Sequence, residues 1–276
     1  MVKELCEPLV SIIIPTYNSQ KTIGICLKSV REQSYFNIEV LVMDKNSGDR
    51  TAEIAESYGA KIFKLNSERT KAKNFGLKKA IGEYVCFIDS DMELSRTVLE
   101  ECITLIGKDE KTGGIIIPEK SFGDSFWVKV RDFERSFYAG TEIESARFFR
   151  KNLVEKANGF DEDIILFEES TLSQKIETMG YNVEQRISAE ILHHEDDFSL
   201  QKWLNKKYYY GKTAFKYKER FGEHAHKQMS IFYRFSIFLK NRRFYFKPLL
   251  AFGVIILKIL EYFSAGLGYL AGKARK

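Results

Sequence analysis

The apolar run Val85-Cys86-Phe87-Ile88 ends abruptly in Asp89-Ser90-Asp91. A run of that composition reads as a buried strand, and open α/β sheets bind ligands in the crevice outside their strands' carboxyl ends. Two carboxylates one residue apart in that crevice call for a cation. Mn2+ and Mg2+ are hard ions that take oxygen ligands and share them with phosphates. The competing reading is an ordinary turn that caps a following helix at Ser95. A second acid, Asp44, closes the run Val42-Met43 just ahead of Asn46-Ser47-Gly48. A carboxylate at a strand end accepts from two N–H or O–H groups at once, and such charge-assisted bonds are strong; a plain turn-former is the alternative. Glu168-Glu169 precedes a helical pattern, where acids also favour a helix N-terminus electrostatically. His193-His194-Glu195 follows Ile191-Leu192, another strand end.

These residues need a scaffold. Strand patterns at residues 9–14, 39–43, 60–65 and 84–88 alternate with helical patterns at 19–33, 51–58 and 70–80. Strict alternation predicts an α/β fold of right-handed βαβ units on a parallel sheet. Turn signals punctuate it at Pro15-Thr16-Tyr17-Asn18, Asn46-Ser47-Gly48-Asp49 and Ile81-Gly82. Thr16, Asp44 and Asp89 then meet at neighbouring strand ends. Beyond residue 97 the pattern loosens: a helix at 98–106, strands at 114–118 and 146–150, an aromatic amphipathic segment at 126–138, and a helix at 172–179. Trp127, Arg131, Glu134, Arg135 and Tyr138 lie at helical spacing, and for the aromatics among them core packing reads ahead of sugar stacking.

With 276 residues and 44% hydrophobic content the chain buries a full core. Cys6, Cys26, Cys86 and Cys102 form no Cys-x-x-Cys pair, so a reduced cytosolic chain without structural zinc is expected. Residues 1–8 carry no basic flank followed by an apolar core, the mark of a signal peptide. The net charge of +5 is uneven, because over residues 201–247 only Glu219 and Glu223 oppose a dense run of lysines and arginines. That run calls for phosphates. Interleaved aromatics such as Tyr208-Tyr209-Tyr210 and Phe244-Tyr245-Phe246 favour a membrane headgroup layer over nucleic acid. An apolar stretch follows at about 248–271, long enough to span a bilayer core of ~20 helical residues. Lys258 and Glu261 interrupt it at helical spacing, which leaves an interfacial helix and a true span both open.

The ordered set Ser11-Ile12-Ile13-Ile14-Pro15-Thr16-Tyr17-Asn18, Val42-Met43-Asp44, Lys73-Asn74, Gly82-Glu83-Tyr84 to Asp91, Asn158-Gly159-Phe160 and Glu168-Glu169 resembles the signature of family 2 glycosyltransferases of the GT-A fold. The resemblance covers residues 10–194. It implies a Rossmann-like, mostly parallel sheet flanked by helices over residues 1–200, followed by a helical membrane-associating tail at 201–276. Pro15, Tyr17, Asn18 and Ser90 would line the nucleotide-sugar pocket, and Asp44 would hold the base or ribose. Lys73 stands where the family more often has arginine, and would touch phosphate as a point charge. Asp89 and Asp91 would hold the divalent metal, with His194, or its neighbour His193, completing the shell. Glu169, with Glu168 as alternate, would be the general base of a direct inverting attack.

The activity so implied moves a sugar from a nucleotide diphosphate sugar to a membrane-bound acceptor, a polyprenyl-diphosphate-linked saccharide. It would act at the cytoplasmic face of the membrane. One alternative is a polyprenyl-phosphate sugar synthase, whose acceptor is already ionised and needs no base. Another is a non-catalytic, membrane-anchored scaffold of the same fold.

Overall fold

A computed structural model describes residues 7–274. Cys6 and most of the stretch read for a signal peptide lie outside the described residues. Along the chain run β1 (Val10–Thr16), α1 (Ile23–Arg31), β2 (Ile38–Asp44), α2 (Thr51–Ser57), β3 (Lys61–Lys64), α3 (Arg69–Lys79), β4 (Tyr84–Phe87), β5 (Met92–Leu94) and α4 (Val98–Ile106). There follow β6 (Gly114–Ile116), β7 (Glu119–Phe122), α5 (Phe126–Arg135), β8 (Phe148–Arg150), α6 (Lys151–Lys156), α7 (Glu168–Thr178), β9 (Gln185–Arg186) and β10 (Ile191–His194). The chain closes with α8 (Leu200–Met229), α9 (Ile231–Lys240), α10 (Arg243–Phe246) and α11 (Pro248–Lys273). Two compact units share these elements. The first comprises Met1–Pro118, Ser145–Phe160 and Leu172–Leu192; the second comprises Glu119–Glu144, Asp161–Thr171 and His193–Lys276.

The first unit is built on a sheet of order β3-β2-β1-β4-β8-β6-β9. β1 lies parallel to both β2 and β4, and β2 parallel to β3, whereas β8 runs antiparallel to β4 and β6. The order reverses at β1, which is the switch point where doubly wound sheets open a ligand crevice. Side chains alternate across the sheet with the strand period of two. Ile12, Ile14, Val42 and Cys86 pack with Ile23, Leu27 and Val30 of α1 and Val98 and Cys102 of α4. Ile13, Leu41, Met43, Val85 and Phe87 pack on the other face with Ala72 and Leu77 of α3 and Leu172 and Ile176 of α7. Burial on both faces is why these strands read as continuous apolar runs. Cys26, Cys86 and Cys102 are free thiols inside this core.

The Asn158-Gly159-Phe160 turn is tied to α3 by a reciprocal pair. The Asn74 amide donates to the Phe160 carbonyl at 3.0 Å, and the Phe160 N–H donates to Asn74 Oδ1 at 2.8 Å. Gly159 sits at φ +63°, and an added Cβ there would run into Asn74 Oδ1. Only glycine meets both demands.

The second unit is helical. α11 packs along α8 and across α5. Gly211 and Gly268 set the α8 and α11 approach, because a Cβ on either would collide with the backbone carbonyl of Ala265 or Tyr208 respectively. Ser125 caps α5 by accepting the Val128 N–H at 3.3 Å. The amphipathic segment expected at 126–138 forms a helix that ends at Arg135, and two of its charged members, Arg131 and Glu134, make structural contacts. Glu134 accepts from the Tyr138 hydroxyl at 2.5 Å and pairs with Lys258 at 2.6 Å. Arg131 lies 3.9 Å over the Trp203 ring and pairs with Glu195.

Lys258 also pairs with Glu261, which accepts from the Trp203 indole N–H at 2.5 Å. Burial alone would raise the Glu261 carboxyl, but Lys207 and Lys258 outweigh it and hold the group below the usual carboxylate range. The charges that interrupt α11 in the sequence are thus turned into protein. The opposite stripe of the helix, Leu249, Phe252, Ile259, Phe263, Leu267 and Leu270, is exposed.

Candidate functional site

Three loops at the carboxyl ends of β1, β2 and β4 are laced together in the first unit. Thr16 and Asp44 stand opposite each other in the last register pair of β1 and β2. From the β1 loop, the Asn18 N–H donates to Ser47 Oγ at 2.9 Å, and the Gly48 N–H returns to Asn18 Oδ1 at 2.9 Å. The Ser19 N–H donates to Thr51 Oγ1 at 2.7 Å. Ser47 also donates its hydroxyl and its N–H, the latter at 3.1 Å, to the Asp44 carboxylate. On the other side, Ser90 Oγ donates to Ser19 Oγ at 2.8 Å. Asn18 and Asn46 take left-handed φ values of 48° and 51°, a conformation asparagine tolerates better than most residues. This bonding holds the loop in place and delays α1, which begins at Ile23 and not at the expected residue 19.

The result is a shallow platform with defined chemistry. Asp44 is fully buried behind it. The Tyr17 ring lies 60% exposed above, with the Lys45 ammonium 5.9 Å from its centroid. Thr16 Oγ1 is buried with no hydrogen-bond partner. An exposed ring beside a buried carboxylate and a waiting hydroxyl suits a flat, hydrogen-bonding ligand such as a nucleobase with its ribose.

Asp89-Ser90-Asp91 leads into β5, not into a helix, so the helix-capping reading of this motif does not hold. α4 starts later, at Val98 after Thr97. Both carboxylates act on one buried point: burial pushes the Cys26 thiol up, and Asp91 and Asp89 push it further. Arg69 lies 3.5 Å from Asp89. It was not singled out by sequence reasoning, although it sits one helical turn before Lys73 and so shares its face. Lys73 itself is fully buried, its ammonium 5.3 Å from the Phe160 ring centroid. The two carboxylates match the donor set for Mn2+ or Mg2+, which are commonly bound by one or two carboxylates plus phosphate and water. Among the described residues no group of three or more His, Cys, Asp or Glu side chains is placed to hold a metal alone.

Glu168, Glu169 and His194 belong to the second unit. α7 starts at Glu168, four residues earlier than the pattern predicts, so both acids lie in its first turn, where the helix dipole favours them. Glu168 is fully buried, whereas Glu169 is partly exposed. Phe167, just before them, is held at φ 58°. Such a conformation costs a bulky residue ~1–3 kcal/mol and clusters at functional sites. No sequence signal marks it. His193 Nδ1 lies 3.4 Å from an Arg135 guanidinium nitrogen and 3.5 Å from Glu195. His194 packs edge-on against Phe122, with Nδ1 3.9 Å from Asp196.

Known proteins share this architecture. The mannosyltransferase PcManGT of Pyrobaculum calidifontis, solved with GDP-Man and Mn2+, superposes with a TM-score of 0.63 over 98% of this chain and 76% of its own, at 21% identity. Staphylococcus aureus TarS 1-349, solved with UDP-GlcNAc, gives 0.58 over 80% and 69% at 23% identity. These likenesses establish the GT-A fold, as expected from the sequence.

In sequence, the uncharacterized glycosyltransferase EpsJ of Bacillus subtilis is 27% identical over 248 residues, 80% of this chain and 67% of that protein. WfgD of Escherichia coli, a UDP-Glc:alpha-D-GlcNAc-diphosphoundecaprenol beta-1,3-glucosyltransferase, is 39% identical over 106 residues, 37% of this chain and 42% of its own length. The match to WfgD thus spans less than half of either protein. The model of Glycosyl transferase family 2 matches residues 11–163, more than half of the chain and all three laced loops, and the chain therefore belongs to that family of glycosyltransferases.

Proposed function

We propose that the chain transfers a sugar from a nucleoside diphosphate sugar, bound at the laced loops of β1, β2 and β4, to a lipid-linked saccharide at a membrane surface, with inversion at the anomeric carbon. The observation that carries the donor half is the lacing itself, from Ser90 through Ser19 and Asn18 to Ser47 and Asp44, which preorganises one polar cradle. In this reading Asp44 accepts from the base or ribose, while Pro15, Tyr17, Asn18 and Ser90 line the pocket. Arg69 and Lys73 supply positive charge on the diphosphate side. Asp91 and Asp89 hold a divalent cation, with His194 proposed to complete its shell, and the Mn2+ bound by PcManGT supports this assignment. When bound, that ion would stabilise the charge that develops on the departing diphosphate.

The acceptor hydroxyl gives its proton to the Glu169 carboxylate as its oxygen attacks the anomeric carbon. The new C–O bond forms on the face opposite the bond to the diphosphate, whose electron pair leaves on the phosphate oxygen. Glu169 is preferred to Glu168 because a base must reach the acceptor, and Glu168 is buried at 0% exposure.

A lipid-linked acceptor is supported by the name of WfgD and by α11. Among the described residues, α11 is the one helix long and apolar enough to cross a membrane. Its inward ion pairs and exposed apolar stripe favour a helix lying in the interface with its charges kept in protein. The free buried thiols suit the reducing, cytoplasmic side. Thermal-shift screening against UDP-, GDP- and dTDP-sugars, with and without Mn2+, tests the donor half, since a ligand of the folded state raises its stability. One donor class that raises the melting temperature more strongly with Mn2+ is expected. A flat response to all of them would refute the reading.

A further inference from the structure

The second unit holds a cavity of ≈ 420 Å³ that the donor chemistry leaves unused. Its size is within the range of small-molecule sites, roughly 300–1,000 Å³. Lys129 stands on the α5 side of the lining, and Arg243 and Lys247 stand at α10 and the start of α11. Among the described residues none of these three cations forms an ion pair. Aromatic faces hold two of them instead, with Arg243 5.8 Å from the Phe137 ring centroid and Lys247 5.7 Å from that of Phe133. Arg243 also donates to Ser136 Oγ at 3.5 Å. A ring face orients a cation without neutralising it, so its charge stays available to an anion. This contrasts with Arg220, Lys227 and Lys258, which are spent on Asp163, Glu142 and Glu134.

A second observation points the same way. Ser121 lines the cavity and is 8% exposed, yet its hydroxyl has no hydrogen-bond partner. Buried hydroxyls are rarely left so. Three carboxylates also face the space, Asp124, Asp132 and Asp196, of which Asp132 accepts the Ser121 N–H at 3.2 Å. They would repel a bare diphosphate, but carboxylates accept well from sugar hydroxyls. Beyond Lys247 the surface turns apolar, with Leu249 and Phe252 exposed at 68% and 62%.

We propose that this cavity is the head-group site for an isoprenoid-linked saccharide diphosphate. Lys129, Arg243 and Lys247 bind the diphosphate, Ser121 donates to it, the three carboxylates take hydroxyls of the attached sugar, and the isoprenoid runs along Leu249 and Phe252. The proposal rests on the lipid-linked acceptor reading above and gives that acceptor its binding residues.

The test measures equilibrium binding of N-acetylglucosaminyl-diphospho-farnesol, farnesyl diphosphate and inorganic diphosphate to the full chain in detergent, with whichever of UDP, GDP or dTDP belongs to the donor class selected by thermal shift saturating so that the donor site is filled. The conjugate should bind tightest and inorganic diphosphate weakest. Lys129→Gln with Arg243→Gln should weaken the conjugate at least tenfold, while Lys28→Gln in the first unit, an exposed lysine, leaves it unchanged. Phe252→Ser should weaken the conjugate and farnesyl diphosphate but not inorganic diphosphate. Unchanged affinity in the double variant, or inorganic diphosphate binding as tightly as the conjugate, overturns the proposal. Donor binding is followed in the same proteins by thermal shift. Its loss in the wild type defeats the donor reading, whereas intact donor binding with an indifferent cavity defeats only this inference.

Discussion

Replacing Lys258 with methionine separates two pictures of α11 by sign. Lys258 is 5% exposed and its ammonium lies between Glu134, at 2.6 Å, and Glu261. Removing it strands the buried Glu134 carboxylate and leaves Glu261 only Lys207, at 3.9 Å, and breaking a buried pair costs ~3–5 kcal/mol. The Tyr138 hydroxyl still donates to Glu134 and the Trp203 indole to Glu261, which points to the lower end, about 3 kcal/mol. For a chain of this size that is a loss of roughly 6–12 °C in melting temperature. If α11 instead crossed a bilayer with Lys258 in lipid, the same change would favour it by ~2.5–3.5 kcal/mol. Thermal unfolding of wild type and Lys258→Met in mild detergent reads the difference. A companion with Glu134→Leu and Lys258→Met together should recover most of the loss, because Glu261 keeps Lys207 at 3.9 Å and no carboxylate is then left without a cation. A neutral or stabilising Lys258→Met would refute the inward ion-pair account of α11.

Other outcomes follow from the same geometry. Asp44→Asn keeps the shape of the β2 loop but removes the charge behind the cradle; nucleotide affinity by calorimetry should fall ~10–100-fold, the worth of one hydrogen bond to a charged group. Glu169→Gln should lower kcat by ~10²–10⁴ with donor binding intact, whereas Glu168→Gln, at a fully buried position, should show its effect first in the melting temperature. Glu142 ties α8 to α9 through Lys227 and Tyr233: burial alone would raise its carboxyl, but these bonds hold it down at about 2. A depressed acid contributes stability above its unfolded-state pKa of ~4.3, and that contribution drains away as pH falls towards 2. Urea midpoints of Glu142→Gln should therefore show a shallower fall than wild type across that window, and parallel curves would count against the clamp.

The crevice was legible because its signals are local. An apolar run that stops in an acid says both that a strand is buried and where it ends, and Asp44 and Asp89 do so on either side of β1. The lacing from Asn18 to Ser47 and from Ser90 to Ser19 was not legible, since it joins residues far apart in the chain. Arg69 was overlooked for a similar reason. Its partner Asp89 is set by sheet topology, and nothing in Glu68-Arg69-Thr70 announces it. In the tail, counting charge misled. Arg220, Lys227 and Arg234 read as phosphate seekers, yet Arg220 and Lys227 pair with acids brought in from residues 142 and 161–163, and Arg234 stacks on Tyr138. Likewise Lys258 and Glu261 looked like breaks in an apolar helix until Glu134 and Trp203 supplied their partners. Composition records which charges exist, while only the packing shows which remain to meet a ligand.

The account stands most directly on transfer itself. The purified chain is incubated with the nucleotide sugar selected by thermal shift, Mn2+ and N-acetylglucosaminyl-diphospho-farnesol, and the lipid product is weighed by mass spectrometry. A mass increase of one sugar residue, abolished in Asp91→Asn and strongly reduced in Glu169→Gln, is the predicted result. Sugar transfer that proceeds undiminished in Asp91→Asn would contradict it.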